Sequence, residues 1–134
     1  MDAQIKYYEN KLAYEMDPAD LYEALNTGEK IIVIDARSPL SYEKECIPGA
    51  INIPHREMNN DTTRYLDKDN FTYIVYCDGI GCNASTHGAL KMTRLGFRVK
   101  ELIGGIAWWK RDGYPTEAMN TTLVDIHRPI GCNC

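Results

Sequence analysis

The chain has no stretch near the ~20 consecutive apolar residues of a membrane span, so no membrane partner is expected. Its first residues, Met1-Asp2-Ala3-Gln4-Ile5-Lys6, hold no apolar signal core, so export is not expected. Positive charge is in short supply as well. Fifteen Lys+Arg stand against 19 Asp+Glu, a formal net charge of −4, which argues against a nucleic-acid backbone as the main partner. Internal repeats, low-complexity runs and Cys-x-x-Cys pairs are all missing. The five cysteines, Cys46, Cys77, Cys82, Cys132 and Cys134, are odd in number and unevenly spaced. A secreted disulfide framework is therefore not the expectation, and a reducing cytoplasmic setting is. What remains is an ordinary globular composition, 44% hydrophobic and 25% charged over 134 residues, enough for one domain with its own core.

Hydrophobic periodicity divides the chain into three parts: an N-terminal helical extension over 1–16, a domain over 17–118, and a tail over 119–134 that carries Cys132 and Cys134. Ile5, Tyr8 and Leu12 recur at helical spacing, which predicts an amphipathic helix packed on the domain or on a partner. Asp17-Pro18 reads as an N-cap followed by proline at the first helical position. Ile31-Ile32-Val33-Ile34-Asp35 is a continuous β-branched run, as in a strand covered on both faces of a parallel sheet. Ser38-Pro39 opens a short helix, and Ile47 to Pro54 is a turn leading into a short strand. Residues 55–70 read as irregular, with one helical turn near 63–66. Phe71–Tyr76 is a second buried strand, 84–95 a helix, Phe97–Leu102 a strand, and Gly104-Gly105 the start of a helix holding Trp108 and Trp109. Strands alternating with helices imply an α/β domain with a mainly parallel sheet.

Chemistry concentrates where the second buried strand ends: Cys77-Asp78-Gly79-Ile80-Gly81-Cys82-Asn83, followed by a helix. Ligands of open α/β sheets bind beyond the carboxyl ends of the strands. A loop curling into a helix start aims unpaired main-chain N–H groups at one spot, and these with the helix dipole favour an anion. A thiol placed there is expected to ionise more readily than a free cysteine and to act as a nucleophile toward an anionic substrate. The alternative for Cys77 is inert packing at a strand end.

Four segments in order resemble the rhodanese-homology domain of sulfurtransferases, from about Asp17 to Pro115. They are Asp35-Ala36-Arg37, Ile47-Pro48-Gly49-Ala50-Ile51-Asn52-Ile53-Pro54, Ile74-Val75-Tyr76-Cys77, and Leu102-Ile103-Gly104-Gly105 with Trp109 and Gly113-Tyr114-Pro115. The resemblance implies a three-layer α/β fold with about five mainly parallel strands between helices. It implies a Cys77 nucleophile that takes a sulfane sulfur from thiosulfate, a polysulfide or a persulfide and passes it to a thiol or cyanide. The loop amides of Asp78, Gly79, Ile80, Gly81, Cys82 and Asn83 would bind the anionic donor. No metal or organic cofactor is implied. The partners implied are a small anionic donor and a thiol acceptor, with a homodimer or a sulfur-relay protein left open. The sequence departs from the family where the loop ends in Cys82-Asn83-Ala84-Ser85 without the frequent arginine, which implies weak thiosulfate activity and a preference for low-charge persulfides. It departs again at Glu45-Cys46 and at Ser41, in supporting contacts.

Other readings of the same residues are weaker. A cysteine phosphatase needs an arginine after five intervening residues to clamp phosphate, and that position is Asn83. Cys77 and Cys82 could serve a thiol–disulfide exchange, or Cys82 could resolve a Cys77 persulfide. A non-catalytic binding module is a further alternative. Cys132, Cys134 and His127 could offer soft ligands to zinc, or the tail thiols could accept sulfur from Cys77. Asp35 and Arg37 are expected to brace the strand end through hydrogen bonds to nearby backbone or to Glu43, with Arg37 setting the local potential as the alternative. Of the adjacent tryptophans, one is expected in the core and the other at a groove or a partner. His55 and His87 have no acid–base partner visible in the sequence.

Overall fold

The computed structural model describes residues 1–119. Its elements run α1 (Asp2–Tyr14), β1 (Glu15–Met16), α2 (Pro18–Asn26), β2 (Ile31–Asp35), α3 (Pro39–Lys44), β3 (Ile51–Asn52), a 3-10 turn (His55–Glu57), β4 (Thr72–Tyr76), α4 (Ala84–Arg94), β5 (Arg98–Leu102) and α5 (Gly105–Arg111). The five strands form one sheet in the order β1-β5-β4-β2-β3, every pair parallel. The α/β class and its parallel sheet are as the sequence predicts.

Local chemistry sets the element boundaries. The Asp17 carboxylate accepts from the Asp20 N–H at 2.8 Å and caps α2, with Pro18 in the first turn. Ser38 does the same for α3 through the Ser41 N–H at 3.3 Å. Along β4 the side chains alternate between two cores, as strand geometry requires. Ile74 and Tyr76 join Leu21 of α2, Val33 of β2 and Ile106 and Trp109 of α5, while Tyr73 and Val75 join Ile34 of β2 and Met92 of α4. The sheet is therefore the middle of three layers, with α2 and α5 on one face and α4 on the other. β4 lies at its centre, buried on both sides, which explains its unbroken apolar sequence.

Three segments differ from the sequence reading. Glu15–Met16, at the end of the expected extension, pairs with β5 in the register Glu15–Glu101 and Met16–Leu102 and so becomes an edge of the sheet. Helix α1 forms, but none of its residues is buried, and Leu12 is 83% exposed. Helical spacing reports a stripe, not whether anything covers it. The helical turn expected near 63–66 is a chain of hydrogen-bonded turns, held by Thr63 Oγ1 donating to the Asn59 carbonyl at 2.7 Å, and the helical piece of this stretch lies earlier, at His55–Glu57. Asn and Thr side chains there compete with the backbone for partners and break the helix.

Candidate functional site

Cys77 follows directly on β4, at the carboxyl edge of the sheet, and is 2% exposed. Its main chain is fixed from below by α5. The Ile106 N–H donates to the Cys77 carbonyl at 3.0 Å, and the Ala107 N–H to the Asp78 carbonyl at 2.9 Å. This close approach explains the glycine pair. Gly105 sits at φ +55°, and a Cβ there would lie 2.2 Å from the Cys77 carbonyl oxygen. Gly104, at φ +77°, is covered by the Trp108 ring, where a Cβ would meet it at 2.1 Å. Both positions demand glycine on conformation and space alike.

Beyond Cys77 the chain makes a tight turn in which the Cys82 N–H donates to the Gly79 carbonyl at 3.2 Å, and then enters α4. The Cys77 sulfur faces Cys82 and α4. Its thiol lies 3.1 Å from the Cys82 carbonyl oxygen and 3.5 Å from Ser85 Oγ. Ser85 Oγ in turn donates to Glu101 Oε2 at 2.9 Å, and Thr86 Oγ1 donates to the same oxygen at 2.8 Å. A cavity of about 180 Å³ opens over the sulfur. The turn 79–82, Ser85 and Thr86 of α4, Glu15 of β1, and the stretch from Glu101 to Gly105 line it. A larger groove of about 660 Å³ between the end of α1, α4 and β5 does not include Cys77.

The structure thus brings Cys77, Gly79, Ile80, Gly81 and Cys82 together around one cavity, while Asp78 and Asn83 do not line it. The Asp78 carboxylate accepts from Arg37 Nη1 at 3.3 Å. The expected ring of main-chain N–H groups is not around the sulfur in this structure. Its two hydrogen-bonding neighbours among the described residues are a carbonyl and a hydroxyl oxygen, because the 79–82 turn spends its Cys82 N–H internally and presents the Cys82 carbonyl instead. Ser85, Thr86 and Glu101 were not singled out from the sequence. The parallel register that sets Val75 opposite Glu101 brings that carboxylate beside the end of β4. Only pairing of the strand ends could have revealed it.

Asp35 and Arg37 are joined to each other at the strand end. Asp35 is fully buried, and its carboxylate accepts from Arg37 Nε at 3.1 Å, Arg37 Nη2 at 2.7 Å, the Arg37 N–H at 2.9 Å and the Tyr76 hydroxyl at 2.6 Å. Arg37 Nη2 also donates to the Glu45 carbonyl at 2.5 Å, so it takes a main-chain partner eight residues along the chain. Burial pulls the Arg37 pKa down, but the hydrogen bonds and charge of Asp35 outweigh it, and the guanidinium is held more firmly protonated than usual. Burial first, then the charge of Asp35 and the hydrogen bond to it, push the Tyr76 phenol far above its ordinary range. The same hydroxyl accepts from the Ile47 N–H at 3.1 Å. The network therefore ties Asp-x-Arg, the start of Ile47-Pro48-Gly49-Ala50 and the residue before Cys77 into one unit.

The remaining candidates fall outside this cavity. Cys46 is fully buried, and burial, then Glu117 and Asp35, push its thiol up to about 11. Cys46 and Cys77 are free thiols, whereas Cys82 is disulfide-bonded, so Cys77 and Cys82 are not joined to each other. His55 and His87 stack with ring centroids 6.1 Å apart and do not line the cavity. Trp109 is buried and its indole N–H donates to the Pro115 carbonyl at 2.7 Å, while Trp108 covers Gly104 and carries the Arg111 guanidinium 4.5 Å above its ring. Cys132, Cys134 and His127 lie outside the described residues. No described helix is long and apolar enough to cross a membrane.

Comparison with known proteins agrees with this geometry. Residues 17–112 match the family described as rhodanese-like domain. A sulfurtransferase of Allochromatium vinosum is 30% identical over 105 residues, 78% of this chain and 94% of that protein. An HTH-type transcriptional regulator of Mycobacterium tuberculosis is 30% identical over 114 residues, 84% of this chain but 45% of the regulator, so the chain spans about half the length of that relative. An uncharacterized protein of Synechocystis is similarly the longer partner, with 59% of its length matched. The crystal structure of the BH2092 protein from Bacillus halodurans superposes with a TM-score of 0.83 at 44% identity, covering 88% of this chain and 86% of that one.

Proposed function

Because the chain belongs to the rhodanese-like domain family, we propose that it is a sulfurtransferase that carries a sulfane sulfur on Cys77. One observation carries the reading: a free thiol at the carboxyl edge of the central strand, opening into a small cavity closed by a turn and by Gly104-Gly105. With a persulfide donor R–S–SH, the Cys77 thiolate attacks the outer sulfur. An Sγ–S bond forms, the donor S–S bond breaks with its electron pair on R–S⁻, and the proton given up by Cys77 ends on R–SH. With thiosulfate the leaving group is sulfite. A thiol acceptor removes the outer sulfur by the reverse chemistry, and no net oxidant is needed.

The donor must reach a nearly buried sulfur, so the cavity suits small compounds. A persulfide anion does not settle against a carbonyl oxygen. Loading therefore includes rotation of the 79–82 turn, which brings amides between Asp78 and Asn83 toward the outer sulfur. The Asp35–Arg37–Tyr76 network holds the strand end still while the turn moves. Intact-mass spectrometry after incubation with a sulfane-sulfur donor tests the assignment. The wild type gains one sulfur atom that reductant removes, and Cys77→Ser gains none. An adduct that survives in Cys77→Ser would move the acceptor to another cysteine. Absence of any adduct on the wild type would leave a binding module.

A further inference from the structure

The N-terminus of α4 is the expected anion site of this cavity, yet it already faces an anion of the chain itself. Asn83 at the helix start makes no side-chain capping bond. Instead Glu101, from the end of β5, takes the first-turn hydroxyls of Ser85 and Thr86 on one carboxylate oxygen, at 2.9 and 2.8 Å. Glu101 makes no ion pair among the described residues, whereas Glu15, the other acid lining the cavity, is bridged to Lys11 at 3.0 Å. Among the described residues, no lysine, arginine or histidine lines the cavity. The nearby guanidinium of Arg37 is held by Asp35 and Asp78 and does not line it. The positive end of the helix is thus offset by a fixed carboxylate, two hydrogen bonds from the sulfur.

We propose that Glu101 is a specificity-determining residue: it turns the cavity away from dianionic thiosulfate and toward small persulfides that bear a protonated amine. The proposal rests on the sulfurtransferase reading and names the donor class of the same site. A dianion entering the cavity is repelled by Glu101 at short range, and the described lining residues include no side-chain cation to balance it. An ammonium group on the donor is attracted to the Glu101 oxygen that the hydroxyls leave open. Glu101 acts on donor binding, not on the breaking bond, so its effect belongs in the half-saturating concentration.

The test uses two small hydropersulfides of opposite charge, those of cysteamine and of mercaptoacetate, with thiosulfate as a third donor, each compared between wild type and variant so that the different leaving-group acidities of the two thiols cancel. Loading of Cys77 is followed by site-resolved mass spectrometry on the full chain. In the wild type the cysteamine compound loads with a half-saturating concentration lower by about tenfold than the mercaptoacetate compound, the size of one partly screened charge interaction. Glu101→Gln, which keeps an oxygen for Ser85 and Thr86, brings the ratio close to one and improves thiosulfate, with the limiting rate little changed. High salt shrinks the wild-type ratio in the same direction, a check that needs no variant. A ratio unchanged in Glu101→Gln, or insensitive to salt, overturns the role of Glu101 while leaving Cys77 as acceptor. Loading by none of the three donors overturns the sulfurtransferase reading itself, and this inference with it.

Discussion

Tyr76→Phe removes one oxygen, and the structure assigns that oxygen two tasks. It donates to the buried Asp35 carboxylate at 2.6 Å and accepts from the Ile47 N–H at 3.1 Å, with Ile47 itself fully buried. Loss of a hydrogen bond to a charged group costs about 1.5–3 kcal/mol, and a buried N–H left without a partner about 1–3 kcal/mol. Asp35 keeps its Arg37 contacts, so the lower part of each range applies, and about 3 kcal/mol in total is expected. Against a domain stability of about 5–15 kcal/mol this is a large fraction. At about 4 °C per kcal/mol for a domain of this size, the melting temperature should fall by about 12 °C. Calorimetry or urea unfolding measures it. The pH dependence adds a second signature. The folded phenol ionises far above its ordinary value, so the stability it contributes is complete below the ordinary tyrosine pKa and is lost as pH rises above it. The phenylalanine variant should show a shallower alkaline decline. A melting temperature lowered by less than about 4 °C, with an unchanged alkaline limb, would refute the reasoning.

Other outcomes follow from the same contacts. Cys46 ionises near 11 when folded against 9.0 normally, so it favours the fold below pH 9 and that contribution fades between pH 9 and 11, by about 2–3 kcal/mol. Denaturant titrations of Cys46→Ala across that window should show a flatter decline than the wild type. Gly105→Ala places a Cβ 2.2 Å from the Cys77 carbonyl at φ +55°, and should cost at least about 2 kcal/mol and slow sulfur loading of Cys77, read by unfolding and intact mass together. Leu12→Ser, on a helix with no buried residue, should leave the unfolding free energy within about 0.5 kcal/mol of the wild type; a larger loss would mean that α1 is covered in solution.

The central strands and the helix starts were legible because each carries a local signal. β2 and β4 are apolar on both faces, and Asp17-Pro18 and Ser38-Pro39 cap the helices they precede. The position of Cys77 at the mouth of the sheet followed from the same strand pattern. What the sequence hid is what depends on distant pairing. The two residues of β1 are too short for any period to mark, and they become a strand only because β5 offers a free edge. Glu101 reads as one more charge in a strand until the register sets it beside Val75 and across from α4. The direction of the Cys77 sulfur was likewise hidden, since glycines permit a tight turn without fixing which main-chain group faces inward.

The two N–H groups of α5 that hold Cys77 and Asp78 come from residues 106 and 107, almost thirty positions further along the chain. A polypeptide emerging from the ribosome exposes β4 well before α5 follows. Until then the Cys77 and Asp78 carbonyls lack these donors, and nothing from Gly104-Gly105 closes the floor under the thiol. Until α5 docks the chain therefore carries its cysteine unsheltered, and the sulfur gains its finished surroundings only from a helix made well after the strand that bears it.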